Sequence, residues 1–247
     1  MKLLTSGYFY RNLGDDLFLR ILANRYPTHQ FHTLIHGDHA CAYTDMPNVR
    51  VMPMTKLRRG MDKVLAKLNP GLRLACVMGK KADASVLIGG SMFQELAEDG
   101  SDISRLQKMP KNYNRLFVLG INFGPYKTGA YLESCQKYLA GATDVCFRDE
   151  TSYGLFSHLP NTRLGSDIVF CIEDLCPGVK NKQNTCFISV MDFGTKKALQ
   201  PYRDAYLHFL KEQVLEQQAM GRQVVLVSFC KLYAIQLIHF LFLKVVT

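Results

Sequence analysis

The sequence predicts an α/β protein built on a doubly wound parallel sheet, with the start of a second, incomplete α/β unit behind it. Three observations carry this. Apolar runs of strand length recur at residues 3–6, 30–35, 48–52, 84–88, 115–119 and 142–147. Most of them close on a glycine or polar loop, and stretches of helical periodicity lie between them. That alternation is the signature of strands buried on both faces and joined by helical crossovers.

The first unit, residues 1–175, opens with strand 3–6 and the polar, glycine-flanked stretch Gly7 to Asp16. Leu17, Ile21 and Leu22 then recur at helical spacing. Pro53 is expected to end the third strand. Residues 57–68 and 72–78 read as amphipathic helices, parted by the turn Asn69-Pro70-Gly71. Ala84 to Ile88 is fully apolar, as a strand covered on both faces should be. Helices are expected at residues 128–139, with Tyr131, Leu132, Cys135 and Leu139 on one side, and at 153–159.

Residues 172–184 shift in composition toward a linker. The second unit, 184–247, reads as strand 186–191, a helix over about 201–220 and strand 224–227. Pro201 starts that helix, Gly221 follows it, and Tyr202, Ala205, Phe209 and Val214 are among its apolar positions. Residues 232–247 form an apolar tail without glycine or proline. It is shorter than a bilayer-spanning helix needs, which is about 20 residues. The tail is expected to serve in a core or a dimer contact or to be sequence foreign to the fold, with peripheral membrane contact as the further alternative.

Thirty Lys and Arg against twenty-one Asp and Glu give a net charge of +9, which favours anionic ligands or surfaces. The basic residues are scattered, and no helix-turn-helix, zinc-finger or RNP pattern occurs, so nucleic acid is not an expected partner. Eight cysteines show no CxxC pair, and several sit in apolar runs such as Val145-Cys146-Phe147, which points to a reducing, cytoplasmic setting. The spacings of His29, His32, His36 and His39 are loop-like and give no metal site. No G-x-S-x-G elbow supports a serine triad.

The candidate chemistry lies in the loops that follow strands, where open α/β sheets bind ligands. Asn12, Gly14, Asp15 and Asp16 stand at a helix start, where bare backbone and an amide suit an anion or a sugar; helix capping by Asp15 is the alternative. Gly89, Gly90 and Ser91 allow a ligand close to the backbone, or form a tight turn. Arg148, after its apolar strand, suits bidentate binding of carboxylate or phosphate, or a buried pair with an aspartate.

Taken in order, Asn12-x-Gly14-Asp15-Asp16, Leu87-Ile88-Gly89-Gly90-Ser91, Gly120-Ile121-Asn122-Phe123-Gly124-Pro125, Phe147-Arg148-Asp149-Glu150-x-Ser152 and Gly165-Ser166-Asp167 resemble the polysaccharide pyruvyl transferase family. Val227-Ser228-Phe229-Cys230 extends the likeness. The resemblance implies a glycosyltransferase-B-like fold of two Rossmann-like domains facing a cleft. It implies transfer of pyruvate from phosphoenolpyruvate, the donor substrate, with no other cofactor, to a sugar of a surface glycan or its lipid-linked precursor. That chemistry belongs in the cytoplasm or at the inner face of the membrane. Arg148 would hold the donor, Asn12 to Asp16 and Gly89 to Ser91 would line the acceptor side, and Asn122 would be among the substrate-binding residues.

Family members carry an Arg-x-His element in the second domain, and no such element occurs in the second half here. The expectation is therefore a C-terminally truncated or frame-shifted member, impaired in transfer. A sugar-nucleotide glycosyltransferase and a non-catalytic glycan-binding or assembly protein are the alternative readings.

Overall fold

The computed structural model describes residues 1–9, 12–37, 39–97, 99–107, 114–174, 183–191, 193, 199–228 and 245–246. The chain divides into two compact units, one of Met1–Tyr10 with Gly14–Pro177 and one of Arg11–Leu13 with Gly178–Thr247. The composition shift at 172–184 and the apolar tail at 232–247 lie largely outside the described residues.

The first unit holds a seven-stranded, wholly parallel sheet. Its strands are β1 (Lys2–Ser6), β2 (Gln30–His36), β3 (Val49–Met54), β4 (Ala84–Ile88), β5 (Leu116–Ile121), β6 (Asp144–Phe147) and β7 (Thr162–Leu164). They lie in the order β3-β2-β1-β4-β5-β6-β7. The chain thus winds outward from β1 to one edge, returns, and winds outward from β4 to the other. The reversal falls between β1 and β4, the switch point where ligands bind in such sheets.

Side chains of β4 and β5 alternate between two cores, as the twofold period of a strand demands. Val86, Ile88, Phe117 and Leu119 face α1 (Leu13–Arg25), whose Phe18, Leu19 and Ala23 are buried against the sheet. Leu87, Leu116, Val118 and Ile121 face the other core. There α5 (Gly129–Ala140) contributes Tyr131, Cys135, Tyr138 and Leu139, and α6 (Glu150–Phe156) contributes Phe156. The Thr128 hydroxyl caps α5 by accepting the Tyr131 N–H at 3.2 Å.

Two boundaries and two elements differ from the sequence expectation. Pro53 does not end β3: the strand runs to Met54, with Pro53 opposite Ile35 of β2. β3 is an edge strand, where a missing N–H is tolerated. The sixth helix begins at Glu150 rather than 153, because Asp149 accepts the Ser152 N–H at 2.8 Å and caps it. α4 (Ser101–Gln107) and β7 have no counterpart in the sequence reading. Asp102 ties α4 to the chain before it, accepting the N–H groups of Leu96 and Ala97 at 2.7 and 3.1 Å.

Between β3 and β4 run α2 (Lys56–Leu68) and α3 (Leu74–Lys80). In the second unit β8 (Thr185–Val190), β9 (Gln223–Ser228) and β10 (Val245–Val246) form a parallel sheet in the order β10-β9-β8. α7 (Arg203–Ala219) buries Leu207, Leu210 and Val214 against Val190 and Leu226. Of the apolar positions expected on it, Val214 is buried, while Tyr202, Ala205 and Phe209 are exposed. Gly221, just past the helix, has φ +74°, the left-handed turn that ends a helix without a Cβ penalty. Among the described residues no helix is long and apolar enough to cross a membrane.

Candidate active site

Four strands of the first unit bring their carboxyl ends together around one guanidinium. β6 ends at Phe147, and the Arg148 N–H bonds the Ile121 carbonyl at 2.9 Å, which holds the residue to the end of β5. Its Nη1 donates to Asp167 Oδ2 at 2.6 Å and its Nη2 to Asn122 Oδ1 at 2.7 Å. Asn122 Oδ1 also accepts from the Ser91 hydroxyl at 3.1 Å. Because arginine only donates, the amide oxygen must be the atom turned toward it.

The glycine loop after β4 is shaped by this guanidinium. A Cβ on Gly90 would lie 2.7 Å from Arg148 Nη2 and 3.0 Å from Cζ, so any side chain there collides with the arginine. Gly89 has φ +144°, a conformation side chains rarely adopt, and a Cβ on it would come within 3.2 Å of Asp15 Oδ1. Gly120, at φ +65°, sits in the register shift between β5 and β6 and turns the chain so that Asn122 reaches Arg148.

The loops after β4 and β5 are laced together by Glu95, which is 2 % exposed. Its carboxylate accepts the N–H groups of Lys127 and Thr128 at 2.6 and 2.7 Å and the Thr128 hydroxyl at 2.6 Å. Burial alone would raise this carboxyl, but the Thr128 and backbone donors outweigh it and hold it below the ordinary glutamate value. A depressed folded-state value means that the bonds stabilise the fold fully above the unfolded value, and that this contribution is lost as pH falls through the folded one. Glu95→Gln is therefore expected to lower the urea midpoint at pH 7. The gap from the native protein should narrow at acid pH; a gap that stays constant would remove the carboxylate from that role.

The sequence-predicted residues fall into two groups. Gly89, Gly90, Ser91, Asn122 and Arg148 converge, with Asp15 beside Gly89. Asn12 precedes α1, and Gly14, Asp15 and Asp16 lie in its first turn, where carboxylates suit the helix dipole. Asp16 turns away from the arginine. It accepts from the Tyr43 hydroxyl and meets His39 Nε2 at 3.0 Å. Burial, then the neighbouring Asp16, pushes the Tyr43 phenol far above its ordinary value, so it remains a donor. Arg20 extends the network to Asp45 at 2.7 Å.

Asp167, which belongs to the Gly165-Ser166-Asp167 motif, is a site residue beyond those expected from the sequence. Its signal was the position of Gly165-Ser166-Asp167 behind a strand too short to recognise. With Asp149, Glu150, Gly165 and Phe170, the Arg148–Asp167 pair lines a shallow cavity of about 420 Å³. One cation and three carboxylates make that wall suited to hydroxyl-rich ligands as well as to an anion held by the arginine.

A doubly wound parallel sheet with glycine loops, an amide and an arginine gathered at the carboxyl ends of its strands defines an α/β protein of the Rossmann-like kind. The family model for polysaccharide pyruvyl transferase matches residues 12–238, and the chain belongs to that family. No match was found among curated proteins.

Proposed function

We propose that the protein transfers pyruvate from phosphoenolpyruvate to a sugar of a surface polysaccharide or its lipid-linked precursor, working in the cytoplasm at the inner face of a membrane. The observation that carries this reading, beside family membership, is the Arg148 guanidinium held between Asn122 and Asp167 against the bare backbone of Gly90. Its remaining donors suit the carboxylate or phosphate of the donor, while Ser91, Asn122 and the carboxylates of the loops suit sugar hydroxyls. The reading includes a glycosyltransferase-B-like pairing of the two Rossmann-like units around the substrates.

Forming a ketal asks for two sugar hydroxyls to bond the oxygen-bearing enol carbon of the donor as its bond to phosphate oxygen breaks; of the two protons the hydroxyls release, one goes to the enol CH2 and the other leaves with phosphate. The test is incubation with phosphoenolpyruvate and a β-galactoside or N-acetylmannosamine acceptor. Released phosphate and a pyruvate ketal are the expected products, formed slowly, since no Arg-x-His element occurs in the second half of the sequence. Absence of phosphate with acceptor binding intact by calorimetry would favour the second reading, a glycan-binding protein, which the three carboxylates around Arg148 also fit.

A further inference from the structure

The helix α2 presents a surface that the site does not use. Thr55 caps it through the Arg58 N–H at 3.3 Å, and Asp62 fastens it to the start of α3 by accepting the Leu74 N–H at 2.7 Å. Asp62, Leu65 and Ala66 are half-buried on the inner side. Leu57, Met61, Val64 and Leu68 are 74 %, 58 %, 60 % and 76 % exposed. At 100° per residue these four fall within one narrow stripe. Lys56, Lys63 and Lys67, all exposed, run along one flank of the stripe, and Arg58 lies on the other.

Soluble proteins rarely leave such an apolar row in water, and cations beside it state what covers it. The sole acid of the helix, Asp62, is turned inward, so the outer face carries apolar side chains and positive charge alone. A second copy of the chain would set these cations against each other. An anionic bilayer satisfies both features at once: the stripe enters the headgroup–acyl boundary and the lysines meet the phosphates.

We propose that α2 is a membrane-docking helix that lies in the plane of an anionic lipid surface. The inference deepens the proposed function by naming the surface that meets the membrane, and it rests on that reading for the lipid-linked acceptor. Flotation of the whole chain with phosphatidylglycerol-containing vesicles should bring it up with the lipid, and pure phosphatidylcholine should not. Neutralising Lys63 and Lys67 with glutamine should weaken binding about fivefold for each lysine. Met61→Glu with Val64→Glu should abolish it, while thermal melts of both variants match the native protein, since these side chains are exposed.

Equal binding to neutral vesicles, no binding to either, or binding that survives the α2 variants overturns the proposal. So does a concentration-dependent dimer that Met61→Glu dissolves, which gives the stripe to a second copy, or an acidic protein that takes the stripe while vesicles do not. Flotation that holds while transfer to a soluble acceptor fails removes the transferase reading and leaves the docking helix. The converse result removes only the helix.

Discussion

Arg148→Ala is expected to weaken phosphoenolpyruvate binding by about 1.5–3 kcal/mol, roughly 10- to 150-fold, the worth of hydrogen bonds from a charged donor. Calorimetric titration of the folded variant measures it. The substitution also strips Asp167 and Asn122 of their cation. The pair is partly exposed, at 28 % and 22 % of the side chains, so solvent screening limits that loss of stability to about 1 kcal/mol. Gly90→Ala separates the two effects: it keeps the charge but drives a methyl to 2.7 Å from Nη2, forcing the guanidinium off Asn122 or Asp167. Its donor affinity should fall toward that of Arg148→Ala. Unchanged affinity in both variants would leave Arg148 as a structural partner of Asp167.

Phe156→Ala should cost about 3–5 kcal/mol, the largest loss of stability expected from the first unit. The ring is fully buried, stacks on Phe147 at 5.0 Å and meets Phe123 edge-on at 4.9 Å. Phe147 directly precedes Arg148, and the Phe123 N–H is held by the Ser152 hydroxyl at 2.8 Å. The cluster therefore sets the height at which the arginine leaves the sheet, so donor affinity should fall as well. Urea unfolding with an unchanged m value reads the stability. A loss under about 1 kcal/mol would mean that the site collapses readily around the deletion.

The strands most plainly legible in the sequence are ones the fold buries. Ala84 to Ile88 is apolar throughout because both faces of β4 are covered, and β5 and β6 are marked by the same composition. β7 left no such trace: it has three residues, two of them exposed, and pairs along one side. α4 was equally silent, since its fastening comes from Asp102 reaching back to Leu96 and Ala97 rather than from periodicity. In the site, Gly89, Gly90, Ser91, Asn122 and Arg148 could be grouped because each follows a strand and the strands are parallel. The direction taken by Asp16 could not be read, because Tyr43 and His39 are distant in sequence and only the fold brings them near. Asp167 was hidden with the strand before it.

The edges of the large sheet also govern how this protein can assemble. At one side Pro53 interrupts the row of donors on β3, and at the other β7 offers three residues, with Arg163 bound across to Asp144 at 2.9 Å. Unpaired strands are templates for growth, and these two are respectively broken and too short to serve as one. Strand-by-strand addition is thus closed to the large sheet, which leaves helices and loops as its means of meeting other molecules.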